Sequence, residues 1–433
     1  MPINNLQGLR GTRSPIYVTW FATGVTAIQS ALIEVYIWTG AEDAKPATPH
    51  ITINRTTGFG DSPTYTVDVS TLIADQININ IAKLFNDDVL SEQNGRIAWV
   101  QVDYDVDYNS GSNNAGSSET FQVIDGYSYF TDGTNYNYSA GILSADTENN
   151  TYEYNVEMMP VYLGERGEDY DIVWGYKERV EDDGGTVENI RCADIGFDKF
   201  RVLLDDGSYH DYLFQESWYS QIEAEDRIKL FPSGIANLTN WLIGRGSALR
   251  PATASWYKLQ LLDTFDNVLD ERKFNVDCEI KYTPIQVAYI SRYGTWNYAT
   301  FFKKSEETID VSSQQYRTIT GFVKNNEWFV GLHNPMYKQY NKNAKRRLTI
   351  NSGFVEEEFK EVMEQIMLSE YVLVVDSSTV VKSGSTYTYD INNNAKAVNV
   401  ATNSLTKKKK VNDKLIEYTL DLEYAFDELN TTL

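Results

Sequence analysis

Cysteine is almost missing from this 433-residue chain: Cys192 and Cys278 are the only two. So few thiols exclude a disulfide framework and suit synthesis in a reducing cytoplasm, with pairing between them left open. Histidine is equally scarce. His50, His210 and His333 stand far apart, none with a second histidine or cysteine at ligand spacing, so no zinc site built from clustered ligands is expected. Long apolar runs are absent as well, and nothing approaches the roughly 20 residues that span a bilayer. The start, MPINNLQGLRGTRSPIYV, lacks a basic segment followed by an apolar one, so no secretory signal is expected. There is no G-x-S-x-G, no HExxH, no P-loop and no GxGxxG after a strand. With 61 acidic residues, a glycosidase pair is neither nominated nor excluded, since such a pair needs only two carboxylates about 5–10 Å apart. No catalytic, cofactor-binding or metal-binding residue is therefore named, and the expectation is a protein that is not an enzyme.

Positive charge is short in one half of the chain only. Residues 1–230 hold 14 Lys and Arg against 37 Asp and Glu, while residues 231–433 hold 24 of each, so the whole net charge of −23 lies in the first half. Such a field repels phosphate backbones and argues against tight nucleic-acid binding there. What the chain has in quantity is aromatic: 30 Tyr and 9 Trp in a sequence that is 42% hydrophobic. Aromatic and β-branched residues suit pleated, half-buried surfaces and interfaces, which favours a β-rich assembly or binding protein.

The period-2 pattern and the turn residues divide the chain into three blocks. In residues 1–158, IYVTWF, ALIEVYIW, HITINR, TYTVDV and IAWVQVDYDVDY read as short strands parted by Gly, Asn and Pro turns, the signature of an immunoglobulin-like β-sandwich. Residues 159–284 form a second β-rich block with a turn at Asp206-Gly207 and a closing hairpin, YKLQLLD to RKFNVDCEIKYT. Within it AEDRIKLFPSGIANLTNWLIG reads as a connection. Residues 285–433 form a mixed α+β module. It carries one clear amphipathic helix, in which Phe359, Val362, Met363, Ile366 and Met367 recur among glutamates, packed on a sheet. The preceding Asn351-Ser352-Gly353 reads as a turn into that helix, with Ser352 as its N-cap.

Several features carry a sharper and a plainer meaning. Asp103, Asp105 and Asp107 form DxDxD, but Tyr108 stands where an EF-hand loop requires glycine, and strict alternation makes these carboxylates the outer face of a strand. In GYSYFTDGTNYNYS, Tyr127, Tyr129, Tyr136 and Tyr138 are candidate interface residues, although sheet packing accounts for them as well. The basic clusters Lys345, Arg346, Arg347 and Lys407, Lys408, Lys409, Lys410 could meet phosphate or an acidic neighbour, or be charged strand edges that resist aggregation. An acidic half of one copy facing a basic cluster of the next is a further option, expected to loosen in salt.

Longer phrases bring in a resemblance. WNYATFFKKSEETIDV, RRLTINSGFVEEEFKEVMEQIMLSEYVLVVD and VNDKLIEYTLDLEYAFD resemble the C-terminal module of virion structural proteins from tailed phages of Bacteroides and relatives, the crAss-like phages among them. The matching positions are Gly294 and Trp296, Asn351-Ser352-Gly353 (Ser352 replacing the usual Thr), Leu368-Ser369, and Leu422-Glu423-Tyr424-Ala425. SPIYVTW, EVYIWTG and LFPSGIANL resemble phrases earlier in such proteins. The resemblance implies a homo-oligomeric virion tail component of the ring, hub or baseplate class, assembled in the host cytoplasm. Its partners would be other tail or portal-proximal proteins and fibres, not membrane, with the acidic half a passive lining of a DNA channel. The alternative is a receptor-binding tail module that holds a cell-surface glycan on exposed aromatics, and a polysaccharide-degrading tail enzyme is a third reading.

Overall fold

The computed structural model describes residues 9–21, 28–39, 43–56, 64–77, 91–92, 97–108, 111, 113–132, 149–151, 153, 157–162, 199–213, 228–262, 265–277, 281–318, 321–330, 335–355, 359–375, 380–388, 395–405 and 416–427. It is mainly β, rich in packed sheets, with a small helical part. The chain divides into two compact units rather than three blocks. Unit 1 comprises Met1–Glu279, Ala288–Ala299 and Ser377–Asn393; unit 2 comprises Ile280–Val287, Thr300–Asp376 and Asn394–Leu433.

In unit 1 a central sheet runs Leu9–Gly11, Phe121–Ile124, Ile97–Tyr108, Ile28–Trp38, Ile51–Arg55, with Asn113–Ser117 as a further edge on Ile97–Tyr108. In Ile97–Tyr108 the expected alternation holds towards the end: Val102, Tyr104, Val106 and Tyr108 are buried, while Asp105 and Asp107 are exposed. At its start Ile97, Ala98, Trp99 and Val100 are all buried. The two faces enter different cores. Ile33, Val35, Ala98, Val100 and Val102 pack with Val18 and Tyr65 from the Tyr17–Phe21/Thr64–Asp68 strand pair, with Ile73 of the short helix α1 (Ser70–Ala74), and with Ile16 and Val69 beside these elements. Tyr36, Trp38, Ile97 and Trp99, on the opposite face, join a second core with Phe200, Phe231, Trp241, Tyr257 and Phe274. One sheet thus serves two hydrophobic cores. This is why the first two blocks fall into one unit: the apolar surface of the first is covered by the second.

The second sheet runs Asn149–Thr151, Val268–Val276, Trp256–Leu262, Lys199–Leu204, Tyr209–Leu213. Its closing hairpin pairs Trp256–Leu262 with Val268–Val276, as the sequence suggests. The Asp206-Gly207 turn is also formed: Gly207 takes φ +82, and Ser208 donates its backbone N–H to Asp206 Oδ1 at 2.8 Å. A helix absent from the sequence reading, α2 (Ile235–Gly244), lies inside the supposed connection. It escapes periodicity because Ile235, Ala236, Asn237, Leu238, Thr239, Trp241 and Leu242 are all buried, leaving no polar stripe. Its polar Asn237 is satisfied by donating to Glu157 O at 2.6 Å.

His210, on the edge strand Tyr209–Leu213, sets its ring edge-on to Trp241 at 6.3 Å. Burial lowers its pKa, opposed by the Asp211 charge and assisted by Arg245. Below the unfolded value near 6.5 the unfolded chain binds the proton more readily, so this contribution is present above that pH and lost as pH falls through the folded value. Unit 1 should therefore lose stability between neutral pH and pH 5 by a component that His210→Gln abolishes. Parallel slopes for the two chains in urea melts across that range would refute it.

Unit 2 is built on a sheet whose strands run in the order Val372–Val375, Ala395–Val400, Ile416–Tyr424, Tyr337–Val355, Glu306–Arg317. The expected helix is present as α3 (Phe359–Leu368), with Met363, Gln365 and Ile366 buried and Phe359 edge-on to Phe301 at 6.2 Å. Asn351-Ser352-Gly353 departs from expectation: it lies inside a strand. Opposite Thr419 and Glu417, residues 351 to 354 hold one extra residue, a β-bulge with Gly353 at φ +72. Ser352 is no N-cap. Its buried hydroxyl accepts the Tyr418 N–H at 3.0 Å and donates to Gly353 O at 2.8 Å, pinning the bulge.

Candidate functional site

Unit 2 carries the most unusual surface among the described residues. Glu306–Arg317 pairs antiparallel with Tyr337–Thr349, but the next strand, Ile416–Tyr424, reaches only Arg347–Val355. Beyond Arg347 the pair is therefore a two-stranded ribbon among the described residues, extending roughly 30 Å at about 3.4 Å per residue. All of Glu306–Arg317 is exposed. Past Thr318, whose N–H donates to Met336 O at 2.8 Å, a tip hairpin pairs Gly321–Lys324 with Glu327–Val330. Asn325 and Asn326 turn it at φ 55 and 62, the left-handed pair that a two-residue type I′ turn needs.

The tip is apolar on both faces. Phe322 stacks on Phe329 at 6.2 Å on one side; on the other, Trp328 lies so close over Gly321 that a Cβ there would fall within 2.3 Å of its indole. Trp328 is 59% exposed, Val323 64% and Val330 62%. Along the ribbon Val311, Tyr316, Tyr337 and Tyr340 are also exposed, with Tyr316 edge-on to Tyr340 at 5.5 Å. A lone two-stranded ribbon is marginal in water, and a row of free strand edges invites pairing with another chain. Contiguous exposed apolar side chains of this kind are uncommon on the surface of a monomeric protein.

The candidate interface residues fall out differently. Lys345 reaches Glu423 at 2.7 Å; Arg347 reaches Asp310 at 3.1 Å and Glu423 at 3.3 Å; Arg346 reaches Glu307 at 3.2 Å. The cluster is thus answered by carboxylates of its own sheet at the ribbon's base, where Lys345 holds the Glu423 carboxyl below its ordinary pKa. Tyr127 and Tyr129 are half-buried in unit 1, edge-on to each other at 5.9 Å. Arg13 lies over Tyr127 at 4.8 Å and Arg292 over Tyr129 at 4.4 Å. Backbone bonds bind this loop, Tyr127 N–H to Arg292 O at 2.7 Å and Arg13 N–H to Gly126 O at 3.0 Å, so packing accounts for both tyrosines. Tyr136, Tyr138, Lys407, Lys408, Lys409 and Lys410, like Cys192, Cys278 and His333, lie outside the described residues.

The outer carboxylates of the central sheet are engaged locally. Asp103 meets Lys45 at 2.7 Å, Asp105 and Asp107 both accept from Asn113, and Ser30 donates to Asp107 at 2.7 Å. Among the described residues no group of three His, Cys, Asp or Glu is placed to hold a metal ion. Sequence reading passes over the ribbon because its two long polar strands, TIDVSSQQYR and YKQYNKN, show no alternation. The available signal is FVKNNEWFV, an Asn-Asn pair between aromatic β-formers.

No protein-family model matches the chain, and no curated protein matches it. Among solved structures it is similar, at 8% identity, to one described as "Crystal Structure of the Periplasmic Chaperone SfaE", over 64% of this chain and 98% of that one. The TM-score is 0.17, too low to carry any argument.

Proposed function

We propose that the chain is a non-enzymatic structural component of a phage tail, a subunit of a multimeric ring or hub that links neighbouring tail proteins or fibres around the DNA channel. The observation that supports the reading is the exposed two-stranded ribbon with its apolar, aromatic tip, a surface suited to a protein partner. The likeness of the sequence to tail proteins of crAss-like phages supports it. The resembling positions also prove structurally demanding. Trp296 is 1% exposed, Gly294 takes φ +75 in a buried turn, and Asn351-Ser352-Gly353 forms the pinned bulge. These positions specify a fold rather than a chemistry. In this reading the protein resides in the virion tail, having assembled in the host cytoplasm, and the acidic half lines the channel so that DNA passes without sticking.

A density map of intact particles, with the chain fitted, is the test. A closed ring of this chain around the tail axis is the expected result; its absence from purified particles by mass spectrometry would sink the reading. A second reading, a receptor-binding module for a glycan, is favoured by one observation, the exposed Trp328 indole, a flat apolar face on which a sugar ring could stack. Glycan-array binding that disappears with Trp328→Ala would replace the first reading with this one.

A further inference from the structure

The ribbon's charges point to its occupant. Between residues 311 and 344 stand four cations, Arg317, Lys324, Lys338 and Lys342, and a single carboxylate, Glu327. Unlike Lys345, Arg346 and Arg347 at the base, Arg317, Lys338 and Lys342 have no ion-pair partner among the described residues. The ribbon is therefore a basic, aromatic, two-faced projection on a chain whose first 230 residues carry a net −23. Exposed carboxylates there include Asp105, Asp107, Glu119, Asp205 and Asp206.

We propose that this ribbon and its tip form an arm that docks on the acidic N-terminal half of a second copy of this chain. The inference rests on the assembly reading and names the partner of its surface. Three properties converge on a copy. Every molecule supplies both the basic arm and the acidic receiver, so a head-to-tail contact repeats from subunit to subunit and closes when the rotation allows. Trp328, Phe322 and Phe329 supply rigid aromatic anchors of the kind that carry most interface energy, with lysines at the rim to steer encounter. A nucleic-acid partner would have the same arm cations to meet but would be repelled by the rest of the molecule.

The experiment uses the full chain. Sedimentation velocity at low and high salt is compared for wild type, for Trp328→Ser with Phe329→Ser, and for Lys324→Glu with Lys338→Glu and Lys342→Glu. All substituted side chains are exposed or at the tip, and circular dichroism confirms that each variant folds. Wild type should self-associate at low salt, more weakly at high salt, and both variants should bind themselves at least about tenfold more weakly, about 1.4 kcal/mol. In a mixture of ordinary and nitrogen-15 chains, a zero-length carbodiimide should join Lys324, Lys338 or Lys342 to carboxylates of residues 1–230 across isotopes. A chain monomeric under all conditions, unaltered association in both variants, or cross-links only within one isotope would each overturn the arm. So would an arm-dependent shift with a single-stranded DNA oligonucleotide in place of self-association. A ring that persists in the variants defeats the arm while leaving the tail reading intact; absence from particles does the reverse.

Discussion

Replacing Trp99 with alanine will destabilise unit 1 by about 3–5 kcal/mol, the usual cost of emptying a buried aromatic site. The loss will appear in the same cooperative transition that Val100→Ala shifts. These neighbours point to opposite faces of one strand: Trp99 into the core with Phe200 and Trp241, Val100 into the core with Val18 and Ile73. Were residues 1–158 and 159–284 separate domains, the two substitutions would move two different transitions. Because one sheet serves both cores, they should move one. The same argument bears on a fragment cut after residue 158. It would expose Tyr36, Trp38, Ile97 and Trp99, four large apolar side chains at most 7% exposed in the whole chain, and should aggregate rather than fold. A monomeric fragment with its own sharp urea transition would show that the central sheet does not need its second cover.

What the sequence revealed and what it hid follow from one cause. Alternation is visible only where one face of a strand meets water. It exposes Val102 to Tyr108, with aspartates between, and fails at Ile97–Val100, where both faces are buried. The same rule separates the helices: α3, with its glutamates outward, shows its period, whereas α2 is covered nearly all round and reads as a connection. The ribbon fails from the opposite side. With both faces in water, Glu306–Arg317 has no buried set to alternate with, so the surface best suited to a partner is the hardest to find from pattern. Short-range backbone chemistry was legible where glycine follows aspartate at Asp206-Gly207. It was misleading at Asn351-Ser352-Gly353, where the same residue types serve a bulge. Of the candidate interface residues in the described parts, Tyr127 and Tyr129 pack under arginines and Lys345, Arg346 and Arg347 pair at home. Charge clusters in sequence do not reveal which of their partners lie across a sheet.

Gly294→Ala will cost about 2–4 kcal/mol, far more than the same change at Gly207, where about 1 kcal/mol is expected. Both glycines hold left-handed backbone, at φ +75 and +82, so both substitutions incur the strain of placing a Cβ there. They differ in surroundings. Around Gly207 nothing lies within 4 Å of a built Cβ. At Gly294 that atom would stand 2.7 Å from Ile124 Cγ1 and 2.9 Å from the carbonyl carbon and oxygen of Asp125. The obstacle is backbone, which yields only by moving the turn. Ser291 N–H donates to Thr295 O at 2.8 Å and Gly294 N–H to Ser291 O at 3.0 Å, and Tyr127 N–H is tied to the same hairpin through Arg292 O. Shifting the turn would therefore break the bonds that seat the Tyr127 loop, and displace Trp296, one of the largest fully buried side chains. Urea unfolding of both variants measures the contrast. Equal losses at the two glycines would mean that backbone handedness alone governs the turn and that the close approach to Asp125 yields without strain.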